Sequence, residues 1–211
     1  MALPQLTTTT YGVLGVLAVR PHSTYELAKA MGRSVGRAWP RAQSKLFEEP
    51  KKLALHGYAS GREDAVGRRP RTVYTITPAG RRALAAWLAA PGDGPALEFE
   101  GLVKLLFADH GTREDALATI ARARAWALDM NAGNIEGAER FADGDGLYDQ
   151  RRATTLLFGA FLTDFYALVA SWAEWAEAEV ATWPEDIANH RISPKRTRDV
   201  LARARWSQQP R

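Results

Sequence analysis

The stretch that decides the fold runs from Arg37 to Thr77, beginning RAWPRAQSKLF (residues 37–47) and ending RTVYTIT (residues 71–77). Its first part predicts one helix over residues 36–57, kinked near Phe47 because Pro50 removes a backbone hydrogen bond. Its second part predicts strands at residues 58–62 and 72–76, joined by a long loop with a basic tip at residues 66–71. A basic helix beside a basic hairpin is typical of a winged helix-turn-helix, and the fold class is predicted as mainly α.

The net charge of +4 conceals a sharp partition along the 211-residue chain. Residues 1–92 carry 14 Lys and Arg against 5 Asp and Glu, a net charge of +9. Residues 93–190 carry 7 against 18, a net charge of −11, and residues 191–211 carry 7 against 1, a net charge of +6. A basic domain joined to an acidic one indicates a nucleic-acid binder, because only the first attracts phosphate.

Helix-capping signals organise the rest of the basic part. The run of threonines before Tyr11 supplies an N-cap for a helix over residues 7–19. Ser23 and Glu26 form a capping box for a second helix that ends near Gly32. Thr77 and Pro78 start another helix, and the clearest linker follows at residues 91–95.

The remainder predicts helices over residues 97–109, 112–141 and 149–183, the second capped by Thr112 and Asp115. A basic tail with a short helix near residues 197–205 follows. We therefore predict a winged helix-turn-helix domain over 1–92, a helical dimerisation and effector domain over 93–183, and a tail over 184–211.

The candidate DNA-binding residues have the side chains that such interfaces use. Arg pairs with guanine, Gln with adenine, and Arg at a wing tip suits a phosphate backbone or minor groove. These candidates are Ser34, Arg37, Trp39, Arg41, Gln43, Ser44, Lys45, Arg68, Arg69 and Arg71.

Several of these segments resemble PadR-family transcriptional regulators. The residues that carry the resemblance are the start YGVLGVL (11–17), STYEL (23–27), SKLF (44–47), LALHGY (53–58) and RTVYTITPAGRRAL (71–84), with LVKLLF (102–107) and the late Trp172 and Trp175 in the helical half. The resemblance covers roughly residues 8–182. It implies a homodimeric winged-helix regulator, usually a repressor, whose C-terminal helices dimerise and frame an effector site. Pro50 and the basic tail depart from the family pattern.

The last long helix carries large aromatic and aliphatic side chains at heptad spacing. They are Phe158, Phe161, Phe165, Leu168, Trp172 and Trp175. An a/d seam of this kind predicts packing against a second subunit under two-fold symmetry. Two recognition helices would then lie about 34 Å apart and read a palindromic site.

Two other interpretations of this helix are open. Residues 156–173 contain only one charged residue, Asp164, and so approach the length of a membrane span. No asymmetry of flanking positive charge supports a membrane, and we predict none as a partner. The aromatic side chains also suit a cleft for a small hydrophobic or aromatic effector, with Trp126, Trp172 and Trp175 as candidates.

Catalysis has no support in the sequence. The chain has no cysteine, its four histidines have no metal-ligand spacing, and no phosphate loop or nucleophile–base pair stands out. We predict a non-enzymatic, cytoplasmic regulator without a cofactor or metal, since no signal peptide is recognisable either. The alternative hypotheses are a protein–protein adaptor that uses the helical half and a small-molecule sensor dominated by its aromatic cleft.

Overall fold

The computed structural model describes residues 6–40, 43–66, 69–144 and 151–208. The chain divides into two compact units. The first comprises residues 1–95 with 145–152, and the second comprises residues 96–144 with 153–211.

The first unit is a three-stranded antiparallel sheet with helices around it. The strand order is β1-β3-β2. The elements in chain order are α1 (Thr8–Val19), β1 (His22–Ser23), α2 (Thr24–Arg33), α3 (Val35–Ala38), α4 (Gln43–Leu55), β2 (Ala59–Val66), β3 (Arg69–Ile76) and α5 (Pro78–Leu88). This order confirms the mainly α winged-helix fold class.

The predicted helix starts are confirmed where a side chain caps the backbone. The Ser23 hydroxyl accepts from the Glu26 N–H, and the Glu26 carboxylate accepts from the Ser23 N–H at 2.8 Å, which completes the capping box of α2. The Thr77 side chain accepts from the Gly80 N–H, and Pro78 occupies the first turn of α5. Each cap satisfies backbone donors that the first turn leaves unpaired.

The prediction of one kinked helix over residues 36–57 is wrong. The structure has a short helix, α3, and a separate helix, α4, and the break lies at Pro40 instead of Pro50. Trp39 has φ −135° and ψ 71°, because the residue before a proline is pushed out of the helical region. Helix α4 continues through Pro50, which is fully buried in the core. Packing there offsets the hydrogen bond that the proline removes.

The wing hairpin is longer than the sequence predicted. Strands β2 and β3 pair from Ala59 opposite Ile76 to Val66 opposite Arg69. Most of the predicted long loop is therefore strand, while the tip residues Gly67 and Arg68 lie outside the described residues. The alternation of apolar residues stops at Arg62 because the outer part of the wing has no core to face. Strand β1, which pairs His22 with Tyr74, was not predicted.

The core of the first unit joins all of these elements. Leu14, Leu27 and Leu53 are fully buried at its centre. The buried residues of this apolar cluster are Val13, Leu14, Val16, Leu17, Leu27, Ala30, Met31, Leu46, Leu53, Tyr58, Ala59, Tyr74 and Ile76. Helix α4 and the wing are thus held on one common core.

Gly80 allows the start of α5 to approach the base of the hairpin. A Cβ atom there would clash with the Tyr58 carbonyl oxygen and would lie 2.9 Å from Ile76 Cγ1. We predict that Gly80→Ala destabilises the first unit by about 1–3 kcal/mol through overpacking. The midpoint of thermal unfolding measures the effect. Gly15→Ala in α1 is the matched control, because nothing lies within 4 Å of its Cβ position. That control is expected to be neutral or stabilising, and equal losses from both variants would contradict the packing argument.

The second unit is helical throughout its described elements. They are α6 (Glu100–Leu106), α7 (Arg113–Ala142), α8 (Arg152–Val180) and α9 (Pro194–Ala204), with short 3-10 turns at Ala108–His110, Ile187–Asn189 and Arg205–Gln208. Thr112 and Asp115 form the predicted capping box of α7. Helix α8 is shorter at its C-terminus than the predicted 149–183, and residues 149–150 lie outside the described part.

Helices α7 and α8 run antiparallel. Arg124 Nη2 lies 2.9 Å from Glu174 Oε1, and Asn134 Nδ2 donates to Thr163 Oγ1 at 2.9 Å. Ala116 and Ile120 pack with Ala173, Ala176, Val180 and Ile187 in one cluster. Helix α8 therefore buries a mainly apolar face, namely Leu162, Tyr166, Val169, Ala173, Ala176 and Val180, together with the charged residue Glu179.

Helix α8 is also long and apolar enough to cross a membrane, judged by length and composition. Its most apolar 18-residue window has a mean hydropathy of 1.5, and 17% of that window is buried. The core helix of a soluble protein passes the same test, so this property alone favours neither environment. It does mean that an apolar surface of α8 faces outward.

Candidate nucleic-acid interface and effector cleft

The proposed recognition helix is α4, and three candidate residues form its first turn. Gln43, Ser44 and Lys45 open the helix. Arg41 lies just before them, outside the described residues. A helix N-terminus carries partial positive charge, which favours a neighbouring phosphate.

A buried polar contact holds α4 against α1. The Thr10 hydroxyl donates to Glu49 Oε2 at 2.7 Å, and Lys52 Nζ lies 3.0 Å from Glu49 Oε1. Thr10 and Glu49 are both buried. Sequence reasoning missed this pair because 39 residues separate its members and neither has a local motif. It positions the helix that carries Gln43 and Lys45.

The candidates around α3 already have partners within the chain. The Ser34 hydroxyl donates to the Ala30 carbonyl at 2.7 Å. The Trp39 indole N–H donates to Thr9 Oγ1 at 3.1 Å, while the ring remains 37% exposed. Arg37 lies within α3. Trp39 therefore ties the end of α3 to α1 and still offers part of its ring to a partner.

Arg71 lies at the centre of an ionic link between the wing and α2. Its Nε and Nη2 atoms donate to Asp64 Oδ2 at 3.0 and 2.8 Å, across paired strand positions. Its Nη1 atom lies 3.6 Å from Glu26 Oε1. The Arg71 hydrogen bond lowers the pKa of Asp64, and the Ser23 backbone N–H is the main cause that lowers the pKa of Glu26. Both carboxylates are thus held in the charged form that Arg71 needs.

Of the two remaining wing candidates, Arg69 alone lies within the described residues. Arg69 begins β3, opposite Val66, and Arg68 lies outside the described residues. The hairpin therefore brings the position of Arg69 to the far end of the wing, away from the core at Tyr74 and Ile76.

The candidate dimer residues of α8 fall into two groups. Phe161, Leu168 and Trp175 are 59%, 65% and 39% exposed. The other three, Phe158, Phe165 and Trp172, are half-buried. Phe165 meets Trp126 edge to face at 6.2 Å, and Trp172 meets Phe99 at 5.9 Å. The stripe is therefore partly seated on its own chain and partly open along its outer edge.

A cavity of about 1020 Å³ lies between α6, α7 and α8. Its apolar lining includes Leu97, Phe99, Leu102, Trp126, Phe165, Leu168, Val169 and Trp172, and its charged lining includes Glu98, Lys104, Asp115, Arg122 and Arg203. The structure thus brings the candidate effector residues Trp126 and Trp172 to one cleft. Trp175 lines a different cavity, where the Arg203 guanidinium lies 4.8 Å from the centre of its ring.

Among the described residues, no group of three or more His, Asp or Glu side chains is arranged to hold a metal ion. A function remains to be assigned to the wing, to α4 and to the clefts of the second unit.

Comparisons with known proteins find similarity to a family of transcriptional regulators. The sequence profile of the Transcriptional regulator PadR-like family matches residues 13–86, which span α1 to α5. The negative transcriptional regulator PadR of Bacillus subtilis is 24% identical over 181 residues, covering 84% of this chain and 93% of that protein.

Solved structures show the same fold. Bacillus subtilis PadR in complex with operator DNA superposes with a TM-score of 0.68 at 20% identity, covering 84% of this chain and 99% of that one. The same protein in complex with p-coumaric acid gives a TM-score of 0.63 at 18% identity, with the same coverage of the two chains. The smu.1604c protein of Streptococcus mutans UA159 gives 0.72 at 18% identity, covering 84% of this chain and 100% of that one.

Proposed function

Since this chain belongs to the PadR family of transcriptional regulators, we propose that it is a homodimeric repressor of a palindromic operator, relieved by a small hydrophobic effector. The observation that carries the proposal is the basic winged-helix unit coupled to a helical unit with an exposed apolar stripe. The family is one of transcriptional regulators and not of enzymes. A partner of genomic DNA also implies a cytoplasmic location.

DNA binding is supported by the chemistry of α4 and the wing. Residues 1–92 carry a net charge of +9, which favours association with phosphate. Gln43 and Lys45 open α4, the position from which a recognition helix contacts base edges and backbone. The Bacillus subtilis relative is a negative transcriptional regulator by name, and one of its structures contains operator DNA.

Dimerisation is supported by the outer edge of α8. Phe161 and Leu168 lie seven residues apart, on one side of α8, and both side chains are more than half exposed. Large apolar side chains in such a row are rarely left to solvent and mark association surfaces. A second α8 related by two-fold symmetry would cover them, and each copy would contribute the same residues.

An effector site is supported by the cleft that contains Trp126 and Trp172. Leu168 belongs both to this cleft and to the exposed edge of α8. A ligand in the cleft would therefore act on the same surface that joins two copies. Aromatic walls with Arg122 and Arg203 at the lining suit a planar aromatic acid.

The test of DNA binding is a fluorescence-anisotropy titration of duplexes from upstream genomic DNA at several salt concentrations. We expect sequence-dependent affinity and a linear fall of log K with log salt, with a slope of about −0.9 for each phosphate contact. Binding without sequence preference, or binding independent of salt, would count against the proposal.

The link between Arg71 and Asp64 gives a prediction whose sign is diagnostic. Asp64→Asn removes a negative charge, so electrostatics alone would strengthen DNA binding. We expect DNA affinity to fall roughly two- to fivefold instead, because the wing loses its fixed position relative to α2. The salt slope should not change, since Asp64 contacts no phosphate. Glu63→Gln is the matched control: it makes the same charge change at an exposed neighbouring position and should bind DNA equally or more tightly. If Asp64→Asn also tightened binding, Arg71 would have no positioning role.

The effector cleft gives a prediction that is independent of DNA. Trp126→Ala should weaken binding of p-coumaric acid, the ligand in one solved relative, by about tenfold or more through lost apolar contact. Isothermal calorimetry measures this. Trp206→Ala is the control, because Trp206 is 75% exposed and lies outside the cleft lining. Equal affinities of the two variants would remove Trp126 from the site, whatever the result with DNA.

A further inference from the structure

The basic tail covers a second cavity, of about 410 Å³, in the helical unit. Its walls come from α6, α7, α8 and α9, and they are mainly apolar, including Leu105, Ile120, Val180 and Val200. Its polar lining includes the Glu179 carboxylate and the Trp183 indole, and α9 adds Arg196, Thr197, Asp199 and Arg203. Neither Glu179 nor Trp183 serves the DNA surface or the cleft of Trp126.

Glu179 is an unusual residue to find there. Its side chain is only 10% exposed, and it lies between the buried residues Ala176 and Val180. Arg196 Nη2 on α9 lies 3.1 Å from Glu179 Oε2. This distance is short enough for an ion pair. Among the described residues, however, Glu179 Oε2 has no partner with hydrogen-bond geometry. A buried carboxylate is costly unless a cation stays beside it.

Two aromatic rings complete the lining. Trp175 already carries a cation, the Arg203 guanidinium, at 4.8 Å from its ring centre. The Trp183 ring lies 5.3 Å from His190, and its buried Nε1 atom has no hydrogen-bond partner in the part of the chain that the structure describes. A carboxylate and indole faces around an apolar space form the chemistry that binds organic cations.

Arg196 lies beside Glu179 and Arg203 lies over Trp175. Both arginines belong to α9, which has little buried surface. Every residue of α9 is exposed, and Arg196 itself is 51% exposed. Releasing a half-solvated arginine costs little, whereas the buried carboxylate must then find another cation. The two arginines of α9 thus occupy the positions that a cationic ligand would take.

We propose that this cavity binds an organic cation with an apolar body, and that Arg196 competes with it for Glu179. The ligand cation pairs with the Glu179 carboxylate and lies against the indoles, while its apolar part contacts Leu105 and Ile120. The proposal does not rest on DNA binding or on the cleft of Trp126.

The experiment compares benzyltrimethylammonium with neopentylbenzene, its neutral counterpart of the same shape, by calorimetry on the full chain. We expect the cation to bind roughly three- to thirtyfold more tightly, the range that a cation–π contact contributes. Glu179→Gln should remove this preference, and Glu179→Asp should keep part of it. Arg196→Gln should tighten cation binding, because the internal competitor is gone.

Glu177→Gln is the matched control, since it makes the same charge change on the exposed side of α8. It should leave the affinity for the cation unchanged. Circular dichroism of each variant separates loss of binding from loss of folding. Equal binding of the cation and its neutral counterpart, no effect of Glu179→Gln, or weaker binding by Arg196→Gln would each overturn the proposal.

Discussion

Replacing Phe161 and Leu168 together with glutamate is expected to convert the proposed homodimer into a monomer and to abolish binding to a palindromic duplex. These side chains are 59% and 65% exposed and lie at heptad spacing on α8. Each should be buried by the second subunit, twice over because the interface is two-fold symmetric.

The expected effect is large. Burial of a Leu or Phe contributes about 1.5 kcal/mol or more, so four side chains contribute about 6 kcal/mol. This corresponds to roughly a 10⁴-fold rise in the dissociation constant of the dimer, before repulsion between the new carboxylates is counted. Analytical ultracentrifugation measures the dissociation constant directly.

The matched control is Ala167→Glu. This residue is exposed and precedes Leu168, so it points about 100° away around the helix. It adds the same charged side chain to α8 and should leave the dimer intact. A double variant that stays dimeric, or a control that dissociates equally, would show that another surface joins the subunits.

The second large effect is expected at the start of α4, where substitutions of Gln43 and Lys45 should change DNA binding in two different ways. Gln43→Ala should cost about 1–3 kcal/mol on the preferred duplex and relax selectivity at one base pair, with the salt slope unchanged. Lys45→Ala should weaken binding to all sequences similarly and reduce the salt slope by about one. Anisotropy titrations on the preferred duplex and on a scrambled duplex, at several salt concentrations, separate the two outcomes.

Lys51→Ala is the control for this pair. Lys51 lies on the same helix, is 61% exposed and forms an ion pair with Glu48 at 3.0 Å. Its removal should not change selectivity or reduce the salt slope. If it had the same effect as Lys45→Ala, the response would reflect net charge and not the position of α4.

The parts of the fold that the sequence predicted well depend on contacts between close neighbours. The capping boxes of Ser23 with Glu26 and of Thr112 with Asp115 each join residues three positions apart, so their geometry follows from the helix alone. Thr77 with Pro78 is a third such case. The winged-helix fold class followed because these local signals and the basic hairpin agreed.

The errors arose where tertiary packing decides between local options. Pro40 and Pro50 both disfavour a helix, and the sequence alone did not reveal that packing against the core would carry α4 through Pro50. Strand β1 has only two residues and exists because β3 lies beside it. The Thr10–Glu49 hydrogen bond likewise depends on residues far apart in the chain.

Helix α8 shows the same limit at the candidate site. Two heptad patterns run along it, one of large aromatic residues and one through Leu162, Val169 and Ala176. From the sequence, the aromatic pattern was the one predicted to form a packing surface, because its side chains are larger. The structure buries the second pattern against the chain's own helices and leaves the outer edge of the first exposed. Which face pairs within one chain depends on α7, whose small residues Ala116, Ala123 and Ala127 are buried in the same unit.

The most direct test of the whole account is selection of bound sites from a pool of random duplexes by the purified full-length protein. If two winged-helix units act together through α8, the selected sequences will share a two-fold symmetric consensus whose half-site centres lie about one DNA turn, roughly 34 Å, apart. Selection of no consensus, or of a single asymmetric half-site bound by one copy, would contradict it.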